Sequence, residues 1–243
     1  YARAADSLES SRHGAAADVL ATDFGARAVA IADQIEAFRP HVIGLNEVST
    51  FDFVYETIPF LEDLEFLAVL QAELASRGLD YAAPVDARST NFEITLPISY
   101  AANCEPQDLL AYTEYDVLLV RDDVEWDNAD NGRFAQPLPL PFGLDPKYSG
   151  WASIDIEHKA LPYRVFATHL EPADTGPCAT DDPGLLYVHS AQAAELRSIL
   201  DGSPHPTILT GDLNSDASGC TTSTYPDLLG DGFVDAWNIG QPR

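Results

Sequence analysis

An α/β fold is predicted by two features of the chain. Three short apolar runs each end on acidic, amide or imidazole side chains, and segments with apolar residues at helical spacing accompany them. Short apolar runs bounded by polar residues read as buried strands, and a 3.6-residue period reads as amphipathic helix. The 243 residues suit one domain, 1–243, with a substantial core, because no Gly/Ser or Pro linker divides them and no internal repeat is apparent.

The elements follow in order. Ala28, Ile31, Ile35 and Phe38 share one helical face, closed by Arg39-Pro40. His41-Val-Ile-Gly-Leu-Asn46-Glu47-Val48 is then a strand ending on an acid. Phe60 to Leu79 reads as a second amphipathic helix, with Phe66, Leu70 and Leu74 on one side. Asn91 to Leu96 alternates as a strand does, and a long loop around Cys104 follows. Loops of that kind near a rim set specificity in many enzymes, so substrate choice is expected between residues 79 and 112. Pro137 to Pro141 is expected to be an edge segment or extended loop, and Trp151 a core residue ahead of one lining the rim. Tyr163 to Pro172 is a strand ending on Thr168-His169-Leu170-Glu171. Tyr187 to Leu196, with Ile199 and Leu200, is helical, and His189 is assigned to a helix face rather than to a ligand set.

The last strand carries the most chemistry. Thr207 to Leu209 delivers Gly211-Asp212-Leu213-Asn214-Ser215-Asp216 to its carboxyl end. If the segment stays extended, Asp212 and Asn214 share one face and Leu213 takes the other. A carboxylate beside an amide can position a water and a phosphoryl oxygen together. The plainer reading is an Asp/Asn-rich turn after a strand. Glu47, His169 and Asp212-x-Asn214, each ending a separate strand, are expected to converge on one rim.

The order L-N-E-V, T-H-L, G-D-L-N-S-D resembles the endonuclease/exonuclease/phosphatase superfamily over roughly residues 27–237. Asp116-Val-Leu-Leu-Val-Arg121, Gly150-Trp151 and Thr168 to Pro172 are similar to secreted bacterial members. The resemblance implies a four-layer sandwich of two mixed β-sheets flanked by helices. It implies hydrolysis of a phosphoester by in-line water attack. Glu47 would hold a divalent cation, Mg²⁺ first and Mn²⁺ or Ca²⁺ as alternatives. Asp212 would deprotonate the attacking water, and Asn214 would hold that water or a phosphate oxygen. His169 would donate to a non-bridging oxygen. Tyr112 to Arg121 resembles the family strand whose Glu supports that histidine, which makes Glu114 the partner of His169. Cys178 and Cys220 follow two strands that neighbour each other in the family, so a Cys178–Cys220 disulfide on the rim is expected, with Cys104 outside it.

The departures are equally specific. The family's first strand carries an Asn in a T-x-N-L motif, and its last strands carry an Asp and then S-D-H; neither motif occurs here. With no Met in the sequence, a processed or trimmed piece, or the ordered part of a longer protein, is expected. The missing strands would come from a complementing part of the same polypeptide. Without them, the alternative is a non-catalytic fragment of this fold acting in binding or assembly.

Charge narrows the substrate. Asp and Glu number 39 against 13 Lys and Arg, a net charge of −26. Duplex affinity comes largely from basic side chains displacing phosphate counterions, so strong general nucleic-acid binding is not expected. A small or lipid-type phosphoester is favoured over DNA, with an extracellular nuclease as a further alternative. Asp122-Asp123, Asp127 to Asp130 and Asp181-Asp182 read as acidic loops of a saline-adapted or secreted surface, or simply of a soluble acidic protein. No apolar run reaches the ~18 residues of a membrane span, and an extracellular or periplasmic location is expected.

Overall fold

The computed structural model describes residues 21–54, 63–100, 103, 105–141, 144–173 and 182–240. Helix α1 (Phe24–Phe38) starts where the Asp23 carboxylate accepts from the Ala26 N–H, and stops where Arg39 turns left-handed before Pro40. Ala28 and Ile35 are buried as their spacing predicts, but Phe38 is 82% exposed because the chain leaves the helix there. Strands β1 (Val42–Val54) and β2 (Leu64–Glu65) lead into α2 (Phe66–Ser76). The predicted helix was longer; Leu64 and Glu65 pair with β1 instead, and Phe60 lies outside the described residues.

Strand β3 (Tyr81–Ala82) and a short 3-10 turn precede the long antiparallel pair β4 (Arg88–Tyr100) and β5 (Pro106–Arg121). Strands β6 (Trp126–Arg133), β7 (Gly150–His158) and β8 (Leu161–His169) follow, then α3 (Pro183–Asp201), β9 (Thr207–Asp212), α4 (Thr224–Gly230) and α5 (Ala236–Gly240). Asp127 to Asp130 lie in β6 and not in a loop. This acidic strand ends its sheet, and charge on an edge discourages pairing with other chains.

There are two sheets. One has the order β2-β1-β5-β3, with β4 also on β5; the other runs β6-β7-β8-β9. Pairing in the first is antiparallel throughout the described strands, so only the second is mixed, through its parallel β8–β9 pair. Side chains of α1 and α2 pack with Val117 and Leu119 on the outer side of the first sheet. Leu118 and Val120 face Ala152, Ile154, Val165 and Ala167 between the sheets. Phe166 and Leu170 meet Leu196 and Leu200 of α3 on the far side. The result is the four-layer sandwich. No described helix is long and apolar enough to cross a membrane.

The sheets approach closely where β1 crosses β9. A Cβ at Gly44 would overlap the Thr210 side chain, so only glycine allows this contact. Gly211, at φ 140°, is constrained twice, because its Cβ would also collide with the Thr168 carbonyl.

Candidate active site

The strand period builds the site. On β5, Val120 and Leu118 point between the sheets, and two-residue alternation puts Asp116, Glu114 and Tyr112 on the same face further along. On β8, Val165 and Ala167 belong to the same inter-sheet cluster, and His169 is the next residue of that stripe. Both stripes change from apolar to polar at the same rim. Asp116 is fully buried and His169 is 5% exposed.

Strand β9 places Asp212 there through register. It pairs in parallel with β8 so that Asp212 is opposite His169. The strand ends at Asp212. The extended Asp212-Leu213-Asn214 face predicted from alternation is not formed, because the Asp212 carboxylate accepts from the Asn214 N–H at 2.8 Å and Asn214 adopts φ 44°. This Asx turn is the competing sequence reading. It still keeps Asn214 at the rim, where its amide donates to the Leu170 carbonyl at 2.6 Å.

Strand β1 contributes by a bulge. Its register on β5 shifts between Leu45 and Val48, with Glu47 at φ 55°. Asn46 points between the sheets and donates to Asp116 Oδ1 at 2.6 Å and to the Thr168 carbonyl at 2.9 Å. Glu47 lines a cavity of about 300 Å³ with Ser49, Tyr112, Glu114 and residues of α1 and α2. His169 and Asp212 do not line this cavity; Asn46 and Asp116 connect it to them.

Glu114 makes no hydrogen bond to His169 among the described residues. Its Oε2 accepts from the Tyr112 hydroxyl at 2.9 Å, and the Lys147 ammonium stands 3.9 Å from Oε1. His169 Nδ1 is buried without a hydrogen-bond partner among the described residues. The alternation of β5 puts a second carboxylate, Asp116, on the same face two residues deeper, where the imidazole charge also acts on it. Burial pushes Asp116 up to about 6, with the Asn46 and Asn91 amides and His169 pulling it down and Glu114 adding to the rise. Burial likewise raises the Tyr112 phenol.

Four contributors escaped the sequence reading. Asp116 and Asn46 were visible, since both lie in quoted motifs at positions that alternation turns inward. Lys147 and Glu171 gave no signal. Lys147 sits 3.3 Å from the fully buried Glu171 carboxylate, which also accepts from Ser149 Oγ at 2.7 Å. His189 proves structural, with Nδ1 2.7 Å from the Glu171 carbonyl and Nε2 2.8 Å from Thr224 Oγ1. Trp151, expected in the core, is partly buried against Phe166. Cys104 and Cys178 lie outside the described residues, and the expected Cys178–Cys220 bridge with them.

No group of three His, Cys, Asp or Glu side chains that could cage a metal occurs among the described residues. Among those residues the Glu47 carboxylate makes no hydrogen bond and is exposed at the rim. One open carboxylate fits a cation that keeps most of its waters, as Mg²⁺ does, and does not fit an all-protein cage.

No protein-family model matches the chain, and no curated protein matches it. Solved structures do. An endonuclease/exonuclease/phosphatase family protein from Leptotrichia buccalis aligns with TM-score 0.55 at 18% identity, over 87% of this chain and 68% of its own. One from Beutenbergia cavernae aligns with TM-score 0.52 at 22% identity, over 86% and 50%. Another, from Bacteroides thetaiotaomicron, gives TM-score 0.50 at 14% identity, over 87% and 64%. The chain thus has the endonuclease/exonuclease/phosphatase fold. It spans between half and about two thirds of the length of these proteins.

Proposed function

We propose that this chain is the larger part of a Mg²⁺-dependent phosphoesterase that hydrolyses a small or lipid-type phosphoester by in-line water attack. The observation that carries this reading is the rim itself. His169 and Asp212 are register partners, Asn214 is folded back beside them, and Asn46 links them to the side that holds Glu47.

Each side chain has a definable task. Asp212 is exposed and takes the proton of the attacking water. Asn214 spends one amide hydrogen on Leu170 and keeps the other for that water or a phosphoryl oxygen. His169 donates to a non-bridging oxygen as charge builds. Glu47 would hold the cation, which supplies Lewis-acid stabilisation of the phosphoryl group when bound. Mn²⁺ or Ca²⁺ would be the substitutes tested. The net charge of −26 supports a substrate other than duplex nucleic acid, and suits a secreted protein.

A second reading has its own observation. Among the described strands β9 is at the end of its sheet, with Ile208 45% exposed beside a cleft of about 1380 Å³ walled by α3, α4 and Phe233. Such an edge beside a cleft of mixed apolar and charged lining suits an added strand. On our reading a complementing segment of the same polypeptide sits there and completes the enzyme; without it, the chain is a binding or assembly unit.

The deciding experiment is hydrolysis of bis-p-nitrophenyl phosphate and p-nitrophenyl phosphate, with Mg²⁺ or EDTA, at low and high salt. Turnover that EDTA abolishes is the expected result, and the preferred ester separates diesterase from monoesterase. Folded protein that hydrolyses neither ester under any condition, alone and in the longest available form of the polypeptide, overturns the enzyme reading.

A further inference from the structure

Four enclosed polar atoms at the rim have no hydrogen-bond partner among the described residues: Asp116 Oδ2, Glu114 Oε1, Asn91 Nδ2 and His169 Nδ1. Buried polar atoms are almost always satisfied, so such a group marks a site whose hydrogen bonds form with water or with substrate in place. Asp116 is held rigidly from its other side, since Oδ1 accepts from Asn46 at 2.6 Å. The same Asn46 amide donates to the Thr168 carbonyl, one peptide before His169. Asparagine 46 is therefore a clamp between the Asp116 carboxylate and the backbone that carries the imidazole. Glu114 has no such clamp: Tyr112 holds its Oε2, and its Oε1, 3.9 Å from the Lys147 ammonium, makes no hydrogen bond to β8.

We propose that Asp116 is the positioning residue for His169. Its Oδ2 takes the Nδ1–H of the ring, directly or through one water. The ring then acts as the imidazolium, with the second proton on Nε2 facing a phosphoryl oxygen as a donor. This deepens the phosphoesterase reading and rests on it for the role of His169, but the pairing itself is tested without turnover. The groups facing the pair are Asn46 on β1, Asn91 on β4, Glu114 on the same strand as Asp116, and Asp212 beside His169.

The substitution Asp116→Asn gives a directional test. Asn46 must still donate to the residue at 116, so the amide oxygen keeps the Oδ1 position and the NH₂ takes the Oδ2 position. That NH₂ is a donor, and it obliges His169 Nδ1 to become an acceptor. Ring-¹⁵N NMR, with the His169 signal identified by its loss in His169→Asn, reads this at once. Wild type is expected to carry a proton on Nδ1, Asp116→Asn to lose it, and Glu114→Gln to keep it. Should Asp116→Asn not fold, Asn46→Ala is read instead, and partial loss of the Nδ1 proton is expected. An Nδ1 signal that follows Glu114→Gln, or that ignores both Asp116→Asn and Asn46→Ala, overturns the assignment. If hydrolysis is present, Asp116→Asn lowers kcat by about 10²-fold with KM little changed and alters the alkaline limb of the pH profile. If hydrolysis is absent but the tautomer changes as stated, the pairing stands and the phosphoesterase reading fails.

Discussion

His169 and Asp212 are register partners on adjacent parallel strands, yet the imidazole is buried and the carboxylate is open to solvent. Neighbouring positions thus offer two environments, an enclosed donor and a hydrated base, within one rung of the ladder. The division suits a reaction in which water is deprotonated on one side and a phosphoryl oxygen is gripped on the other.

The first prediction separates the turn from the chemistry. Asp212→Asn keeps an oxygen to accept from the Asn214 N–H, so the Asx turn survives. Hydrolysis should fall by about 10²-fold or more, while the thermal midpoint, followed by circular dichroism, stays near wild type. His169→Ala should likewise abolish turnover. Full activity in either variant would remove these residues from the mechanism.

Glu47→Gln should leave the fold unchanged and weaken the cation. The carboxylate is exposed and makes no hydrogen bond among the described residues, so little stability depends on it. The Mg²⁺ concentration for half-maximal activity should rise at least about tenfold. Calorimetric titration of Mg²⁺ into both proteins provides the check that does not depend on substrate.

Stability should respond to pH through Asp116. Its carboxyl is raised to about 6 from 3.8 by burial. Between those values an unfolded chain ionises freely while the folded site resists, so native stability falls as pH rises from about 4 to 6. Asp116→Asn has no proton to lose. It should flatten this slope by about 2–3 kcal/mol in total and raise the unfolding midpoint at neutral pH, with little effect near pH 4. Denaturant titrations at the two pH values test it.

Gly44→Ala should cost about 1–3 kcal/mol, because the added methyl meets Thr210 across the gap between sheets. Gly211→Ala should cost at least as much, since overlap with the Thr168 carbonyl adds to an unfavourable φ. The paired variant Gly44→Ala/Thr210→Ala removes the hydroxyl that the added methyl meets and should recover part of the first loss. Urea denaturation of the three proteins distinguishes packing from backbone strain.

Much of this arrangement was legible in the residues. Apolar runs marked β1, β8 and β9, although β9 is half-exposed at the end of its sheet and not the buried strand its apolar run suggested. Their polar ends marked the rim because a strand that leaves the core meets water there. The turn at Asp212 was readable only as an alternative, since local alternation and Asx chemistry compete for the same three residues. Glu114 was assigned to His169 by resemblance, whereas the β5 alternation, Tyr112, Glu114, Asp116, Leu118, would have shown two carboxylates on one face and left the choice open. Lys147 and Glu171 were invisible, because an ion pair between distant segments leaves no periodic trace. The acidic β6 was mistaken for a loop because its charges suit an edge, and edge position is a property of the assembled sheet.

The bulge at Asn46 and Glu47 lets one strand serve two compartments. Ahead of it, Val42 and Gly44 face the second sheet; after it, Val48 packs among the helices while Ser49 reaches Tyr112. Deleting one residue there would restore an unbroken ladder and exchange inside for outside along half the strand. The candidate cation holder and the clamp on the histidine side are consecutive residues, so a single peptide unit keeps the two halves of the proposed chemistry in step.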